Sequence, residues 1–350
     1  MKSLELKKIN SLTFDRETVS SIKHIGEFKG KQELYYKQSP EVLKCLVENA
    51  KIESTVSSNR IEGITAPQKV IEGMILKAVE PKNRSEKEIA GYRDALALIH
   101  EVHSNMPFTN NVILQLHSML YRYEGEDKGR WKTSENEITE ISSDGTKRIR
   151  FKPVSAFDTP RYMDLLIEHY KIAVEKERVE PLVVIPLTVL DFLCVHPFND
   201  GNGRTARLLT LLLLYHFGYE VGRYISLERI IEESKETYYE TLGKSSVGWH
   251  EGKHDVFPWL DYFYGVLLRS YKEFEDRVIT VKTGKGEKAD MIRNSVMNKF
   301  LPFSISDIQK ECRGISREMV RLILRQMRDE GIIVSTGKGR GAKWIKKESK

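Results

Sequence analysis

The feature that most constrains this chain is a twelve-residue break in an apolar path. Leu182–Val195 carries one charge, Asp191, in fourteen residues, and Leu208–Tyr215 is interrupted only by Thr210. Between them stands His196-Pro197-Phe198-Asn199-Asp200-Gly201-Asn202-Gly203-Arg204-Thr205-Ala206-Arg207. The pattern is a helix-loop-helix. Pro197 cannot continue an ordinary helix without losing a backbone bond, and Gly201 and Gly203 permit backbone conformations that set several N–H groups on one side of the loop. Such a loop is an anion cradle. A helix starting near Arg204 adds its free N–H groups and positive dipole end, and Arg204 and Arg207, three residues apart, can both face the anion.

An acidic residue inside a basic cradle would repel a bare phosphate. Asp200 therefore makes best sense as a ligand for a hard divalent cation, naturally Mg2+, that also binds phosphate oxygens. His196, with an ordinary pKa of about 6.5, suits a general base that takes a proton from an attacking hydroxyl near neutrality. Together these groups describe transfer at phosphorus. Neither a G-x-x-x-x-G-K-[ST] loop nor a G-x-G-x-x-G after a strand is present, which removes P-loop and Rossmann chemistry.

The segment resembles the motif of the Fic family, H-P-F-x-[D/E]-G-N-G-R-x-x-R, at every fixed position, and the resemblance spans roughly Ile113 to Leu214. It implies a helical core that binds Mg-ATP and transfers AMP to a Ser, Thr or Tyr hydroxyl of a protein. In that reading His196 deprotonates the hydroxyl and Asp200 holds the metal. Gly201, Asn202, Gly203 and Arg204 bind the nucleotide, and Arg207 holds its γ-phosphate. The family also has a β-hairpin flap that holds the target peptide extended. Two short β-like runs, Glu137–Ile141 and Arg148–Phe151, joined through Ser142–Thr146, fit such a flap.

Upstream, Ser58-Asn59-Arg60-Ile61-Glu62-Gly63 resembles the family's inhibitory signature, [S/T]-x-x-x-E-[G/N]. On a helix Ser58 and Glu62 share a face, so Glu62 can reach out while Ser58 anchors it. The resemblance implies that Glu62 pairs with Arg207 and occupies the arginine needed for the γ-phosphate. It also leaves open removal of AMP by a water that Glu62 positions. Self-modification and homo-oligomers belong to the same implications, although no residue here marks a surface for either, and the target protein is not named by the sequence.

Elsewhere the expected fold is mainly α. Helical spacing runs from Ser39 to about Leu120, as in Pro40–Ile64 and Ser85–Ser104, and resumes at Pro160–Glu175, Leu182–Val195, Arg204–Phe217, Leu227–Leu242 and Pro258–Val278. His100, His103 and His117 read as packing or surface residues, and the aromatic cluster at 257–264 as core. No fixed-period repeat or low-complexity segment interrupts this pattern. The polar stretch Thr283–Lys288 reads as a linker, which divides the chain into an N-terminal helical region (1–105), a catalytic core with its following helices (106–282) and a C-terminal unit (283–350).

That last unit orders as helices at Asp290–Lys299, Ser304–Glu311 and Ser316–Glu330, then Ile332–Val334, a Gly-rich turn and Lys343–Ile345, the succession of a winged helix-turn-helix. From Lys285 onward sixteen Lys and Arg face eight Asp and Glu, a net +8 that leaves −2 for the rest of a chain whose total is +6. Arg317, Arg321, Arg325 and Arg328 recur at helical spacing, with Lys338, Arg340 and Lys343 in the wing, an arrangement that suits duplex DNA. A regulator with a nucleotide-sensing core is the alternative this raises, while winged helices also serve as protein platforms. Cys45, Cys194 and Cys312 lack disulfide or zinc spacing and are expected to be reduced and buried. The longest central apolar run is far short of the roughly 20 residues of a membrane span. The charged Met1–Lys8 does not resemble a secretory signal, so a cytoplasmic location is expected.

Overall fold

A computed structural model describes residues 1–38, 40–75, 79–125, 129–141, 147–279, 287–297, 299, 302–312, 315–336 and 343–347. The turn at Ser142–Thr146, most of the expected linker, and Lys338 and Arg340 of the expected wing lie outside them. In chain order the helices are α1 (Leu6–Ile9), α2 (Arg16–Gln38), α3 (Pro40–Ile61), α4 (Gln68–Ile75), α5 (Arg84–Val102) and α6 (Asn110–Leu120). The hairpin strands β1 (Ile138–Ile141) and β2 (Lys147–Phe151) follow. Next come α7 (Thr159–Lys171), α8 (Pro181–Val195), α9 (Asn202–His216), α10 (Leu227–Glu233), α11 (Lys235–Ser246) and α12 (Phe257–Ile279). The C-terminal unit holds α13 (Glu287–Met297), α14 (Ile305–Glu311), α15 (Arg317–Asp329), β3 (Ile333–Thr336) and β4 (Lys343–Lys346).

α8 is the axis of the body: every residue from Leu182 to Val195 is buried, as a helix apolar on all sides requires. Its one charge, Asp191, is fully buried and satisfied. Asp191 accepts the backbone N–H groups of Ser3 (3.0 Å) and Leu4 (3.2 Å) and the Trp249 indole N–H (2.6 Å), so the N-terminal segment is pinned to this helix. One hydrophobic cluster runs from Met1 to Val278 and takes residues from both sides of the 105/106 boundary. A separate cluster built on Ile292, Val296, Phe303, Ile308, Val320, Leu324 and Trp344 fills the C-terminal unit.

Two helical expectations change. The sequence pattern did not announce α2, whose apolar residues are sparse, yet it packs on α12 by stacking Phe28 on Tyr271 (5.6 Å) and setting Tyr35 edge-on to Phe274 (5.8 Å). The single helix expected over 227–242 is two, broken at Ser234. Its hydroxyl bonds back to the Ile230 carbonyl (2.8 Å) and meets the Tyr262 hydroxyl (2.9 Å), a local alternative that draws the backbone out of the helix.

In the hairpin, Thr139 pairs with Ile149 and Ile138 with Phe151, with a register shift between Ile138 and Thr139. Phe151 is buried while Ile149 points outward. In the C-terminal unit β3 and β4 are antiparallel, and Phe303 adds a bridge by exchanging both backbone bonds with Trp344. Cys194 and Cys312 are buried, Cys45 is half-buried, and all three are free thiols. Among the described residues no helix is long and apolar enough to cross a membrane.

Candidate active site

The site forms where α8 ends and α9 begins. His196 closes α8 in the left-handed region (φ 51°), which turns the chain sharply and lets Pro197–Gly201 loop over the helix end. The loop is stapled from within by Asn202. Its Oδ1 accepts the Phe198 N–H (2.9 Å) and its Nδ2 donates to the Phe198 carbonyl (2.7 Å), so the side chain expected at phosphate is committed to loop shape. It is also held from outside. Lys132 donates its N–H to the Pro197 carbonyl (2.8 Å) and its ammonium to the Val195 carbonyl (3.2 Å), while Asn136 donates to the Phe198 carbonyl (3.0 Å). Burial lowers the Lys132 ammonium to about 8.

Gly201 precedes α9 with φ 81°, a conformation that favours glycine, and it supplies no side-chain cap. The first bond that reaches back to this turn is from Thr205 to the Gly201 carbonyl (2.9 Å), so the earlier N–H groups of α9 have no partner within the helix. This is a helix end made for an anion. Asp200 flanks it, with Oδ1 accepting the Gly201 N–H (2.7 Å) and an exposed Oδ2 at 3.2 Å from Arg84.

The two motif arginines part company. Arg204 is buried, with Nη1 2.5 Å from Glu88 and Nη2 donating to the Tyr121 hydroxyl (2.9 Å). Its charge is neutralised inside the protein. Arg207 is also buried, but its partners come from the end of α3. Nε donates to Ser58 Oγ (2.8 Å), and Nη2 donates to both the Ser58 carbonyl (2.8 Å) and Glu62 Oε1 (2.8 Å). Ser58 thus binds Arg207 directly and does not anchor Glu62. Nη1 of Arg207 is buried and makes no direct hydrogen bond among the described residues, with Tyr238 close beside the guanidinium. Burial works against its charge, yet the Glu62 carboxylate raises its pKa above the ordinary arginine value.

Glu62 follows the last residue of α3, and Gly63, at φ 77°, reverses the chain behind it with Ile64 N–H bonding back to the Asn59 carbonyl (2.9 Å). The carboxylate lies against Gly203 in the first turn of α9: a Cβ there would stand 2.3 Å from Glu62 Oε1. Glycine is required for that approach.

His196 is largely enclosed. Burial pushes its imidazole down to about 4, against a bond to the Leu193 carbonyl, with Lys132 and Arg150 adding to the depression and Glu62 opposing it. It is therefore neutral at pH 7. The Nδ1 to Leu193 carbonyl contact (3.3 Å) places the ring proton on Nδ1 and leaves Nε2 basic. Beside it opens a pocket of about 110 Å³ lined by Glu62, Ile138, Phe151, Leu193, Tyr238 and Tyr239 among others. Arg150 of β2 donates to the Tyr239 carbonyl (3.3 Å), tying the hairpin to α11 across this pocket.

Several contributors were not singled out in the sequence. His117, expected only to pack, stacks on Phe198 (3.6 Å between centroids) and its Nε2 meets the Asp200 carbonyl (3.0 Å). Arg84, Lys132, Asn136, Arg150 and Tyr239 are likewise brought in from distant segments. Among the described residues no cluster of three or more His, Cys, Asp or Glu could hold a metal unaided. A lone exposed carboxylate beside an uncapped helix end still fits magnesium, which is bound through one or two carboxylates with substrate phosphates and water.

Residues 107–214 match the sequence model of the Fic/DOC family. The chain is 21% identical over 228 residues to a protein from Nematostella vectensis named protein adenylyltransferase Fic, covering 63% of this chain and 48% of that protein. It is 26% identical over 246 residues to Caenorhabditis elegans protein adenylyltransferase fic-1, covering 66% of this chain and 41% of that protein. The chain thus spans less than half the length of these relatives. In structure it is similar to a Fic family protein from Desulfovibrio desulfuricans, with a TM-score of 0.62 at 20% identity over 97% of this chain and 98% of that one.

Proposed function

With residues 107–214 a domain of the Fic/DOC family as premise, we propose that the protein is an adenylyltransferase that moves AMP from ATP to a protein hydroxyl and is held in check by Glu62. The observation that carries the reading is one pocket lined by a neutral His196, by Gly203 at the uncapped start of α9 and by Glu62, whose carboxylate holds Arg207 beside it. The hydroxyl oxygen attacks the α-phosphorus, the bond to pyrophosphate breaks, and the hydroxyl proton passes to His196 Nε2. Asp200 would hold magnesium, which neutralises charge on the phosphate oxygens when bound. The N–H groups of Asn202, Gly203 and Arg204 and the guanidinium of Arg207 bind the phosphates.

Arg204 keeps its pairing with Glu88 and Tyr121 and acts by fixing the first turn of α9. The pocket at Tyr238 and Tyr239 takes the nucleotide base, and the edge of the hairpin takes the target backbone by strand addition. The division at 105 and 282 into a restraining region, a core and a winged-helix unit belongs to the same proposal.

Glu62 competes with the terminal phosphate for Arg207 and for the space over Gly203. A hydrogen bond to a charged group contributes about 1.5–3 kcal/mol, so Glu62→Gly should raise the rate of AMP transfer roughly 10–150-fold. Intact-mass spectrometry after incubation with ATP and magnesium reads the AMP gained by the chain or by co-purified proteins. No gain in the Glu62→Gly protein with any substrate fraction would end the proposal.

A further inference from the structure

The basic row on α15 is absorbed neither by the catalytic reading nor by the fold. We propose that α15 is a duplex-DNA-binding helix whose contacts are Arg317, Arg321 and Arg325.

The C-terminal unit sorts its described cations into two groups. Those that serve its structure have partners: Arg293 forks onto both oxygens of Glu330 (2.6 Å each), Lys299 binds Glu311, Lys346 donates to the Met297 carbonyl (2.7 Å), and Arg328 pairs with Asp329 (2.8 Å). Among the described residues Arg317, Arg321 and Arg325 have no carboxylate within ion-pair distance, and all three are exposed. They stand four residues apart, so they form one row along the helix. Like charges at that spacing weaken a helix by a few tenths of a kcal/mol per pair, and Glu318 and Asp329, at helical spacing from Arg321 and Arg325, moderate this without closing an ion pair among the described residues. The opposite face is fully used, with Val320, Ile323, Leu324 and Met327 buried in the unit's own core. The row is therefore presented outward by a helix that is rigidly seated.

Its dimensions match one ligand. An α-helix with its side chains is about 10–12 Å across, which fits the roughly 12 Å width of the B-DNA major groove, and the row from Arg317 to Arg325 runs about 12 Å along it. A-form RNA keeps its major groove too deep and narrow for side chains. Leu322, 54% exposed, sits in the same stretch and offers apolar contact of the kind a thymine methyl accepts. Lys343, exposed at the start of β4, and Lys288, exposed on α13, add positive charge on either side of the helix in sequence. Ser316 caps the start of α15 by accepting the Met319 N–H (3.3 Å), which fixes where Arg317 begins the row.

Fluorescence anisotropy of the full chain with a labelled mixed-sequence duplex across a salt series tests this. We expect binding that weakens steeply with salt. The variant Arg317→Gln/Arg321→Gln/Arg325→Gln should lose at least roughly tenfold in affinity and reduce the salt slope by about 0.9 per phosphate contact removed. Its exposed positions predict an unchanged melting temperature, and Lys171→Gln/Lys176→Gln/Lys253→Gln on the body should bind as the parent does. Absence of duplex binding at low salt, or equal binding by the triple arginine variant, overturns the proposal. Equal competition by polyglutamate would assign the surface to an acidic protein, and equal competition by duplex RNA would remove the groove argument; either result rejects it.

Discussion

Helices α9 and α15 both carry arginines at regular helical spacing, and they use them in opposite ways. On α9 Arg204 and Arg207 point inward, lie almost fully buried, and meet Glu88, Tyr121, Ser58 and Glu62. On α15 Arg317, Arg321 and Arg325 are exposed and form no ion pair among the described residues. Burial leaves an arginine little choice but to find a partner, because an unpaired buried charge is very unfavourable. Exposure removes that pressure. On the proposed reading the α9 pair shapes and restrains the His196–Arg207 loop, whereas the α15 row is presented to an external polyanion.

The largest effect that separates the two regions is chemical. His196→Ala, made together with Glu62→Gly, should lower AMP transfer by about 10²–10⁴-fold, the usual contribution of a positioned base. Duplex affinity should stay where it was. A fall in both would mean that the C-terminal unit and the loop are not independent.

Next in size is stability. Arg204→Ala strips Glu88 of its buried partner and should destabilise the body by about 3–5 kcal/mol, with Arg325→Ala within about 0.5 kcal/mol of the parent. Urea unfolding followed by tryptophan fluorescence measures both, since Trp249 and Trp259 lie in the body core and Trp344 in the core of the C-terminal unit. Equal losses would erase the distinction between the two helices.

What could be read in advance follows the range of each interaction. The loop from His196 to Arg207 was legible because its turn chemistry is local: Pro197, Gly201 and Gly203 act through their own backbones. The pairing of Glu62 with Arg207 spans 145 residues and was reached only through resemblance. Glu88, the partner of Arg204, and Lys132, which braces the loop, carry no such signal. Each is an ordinary charged residue on an ordinary segment until folding places it. Asn202 shows a limit of motif reading, since spacing alone does not reveal that its side chain staples the loop and leaves its backbone N–H to face a phosphate. Helix α2 carries little sequence signal because only a few apolar side chains, among them Ile25 and Phe28, bury it, and its aromatic partners on α12 lie more than two hundred residues away.

The smallest effect, and the sharpest discriminator, is the response to pH. An ordinary histidine would lose its basic form as pH falls through about 6.5. Burial holds His196 near 4, so its base form persists through neutrality and well into the acid range. The sign is fixed by the role: a base works deprotonated, so the rate should be flat from pH 8 to about 5 and then fall about tenfold per unit once below its pKa. Removing Glu62 takes away a carboxylate that favours the charged ring, which moves the midpoint further toward acid. Initial rates of AMP incorporation by the Glu62→Gly protein, sampled from pH 8 downward, give the profile directly. A midpoint near 6.5 would mean that the imidazole is solvated in the working enzyme and that the enclosure around it opens during turnover. The guanidinium groups of α15 stay charged across the whole range, so over the interval in which the chemistry fades, the row itself should keep its hold on DNA.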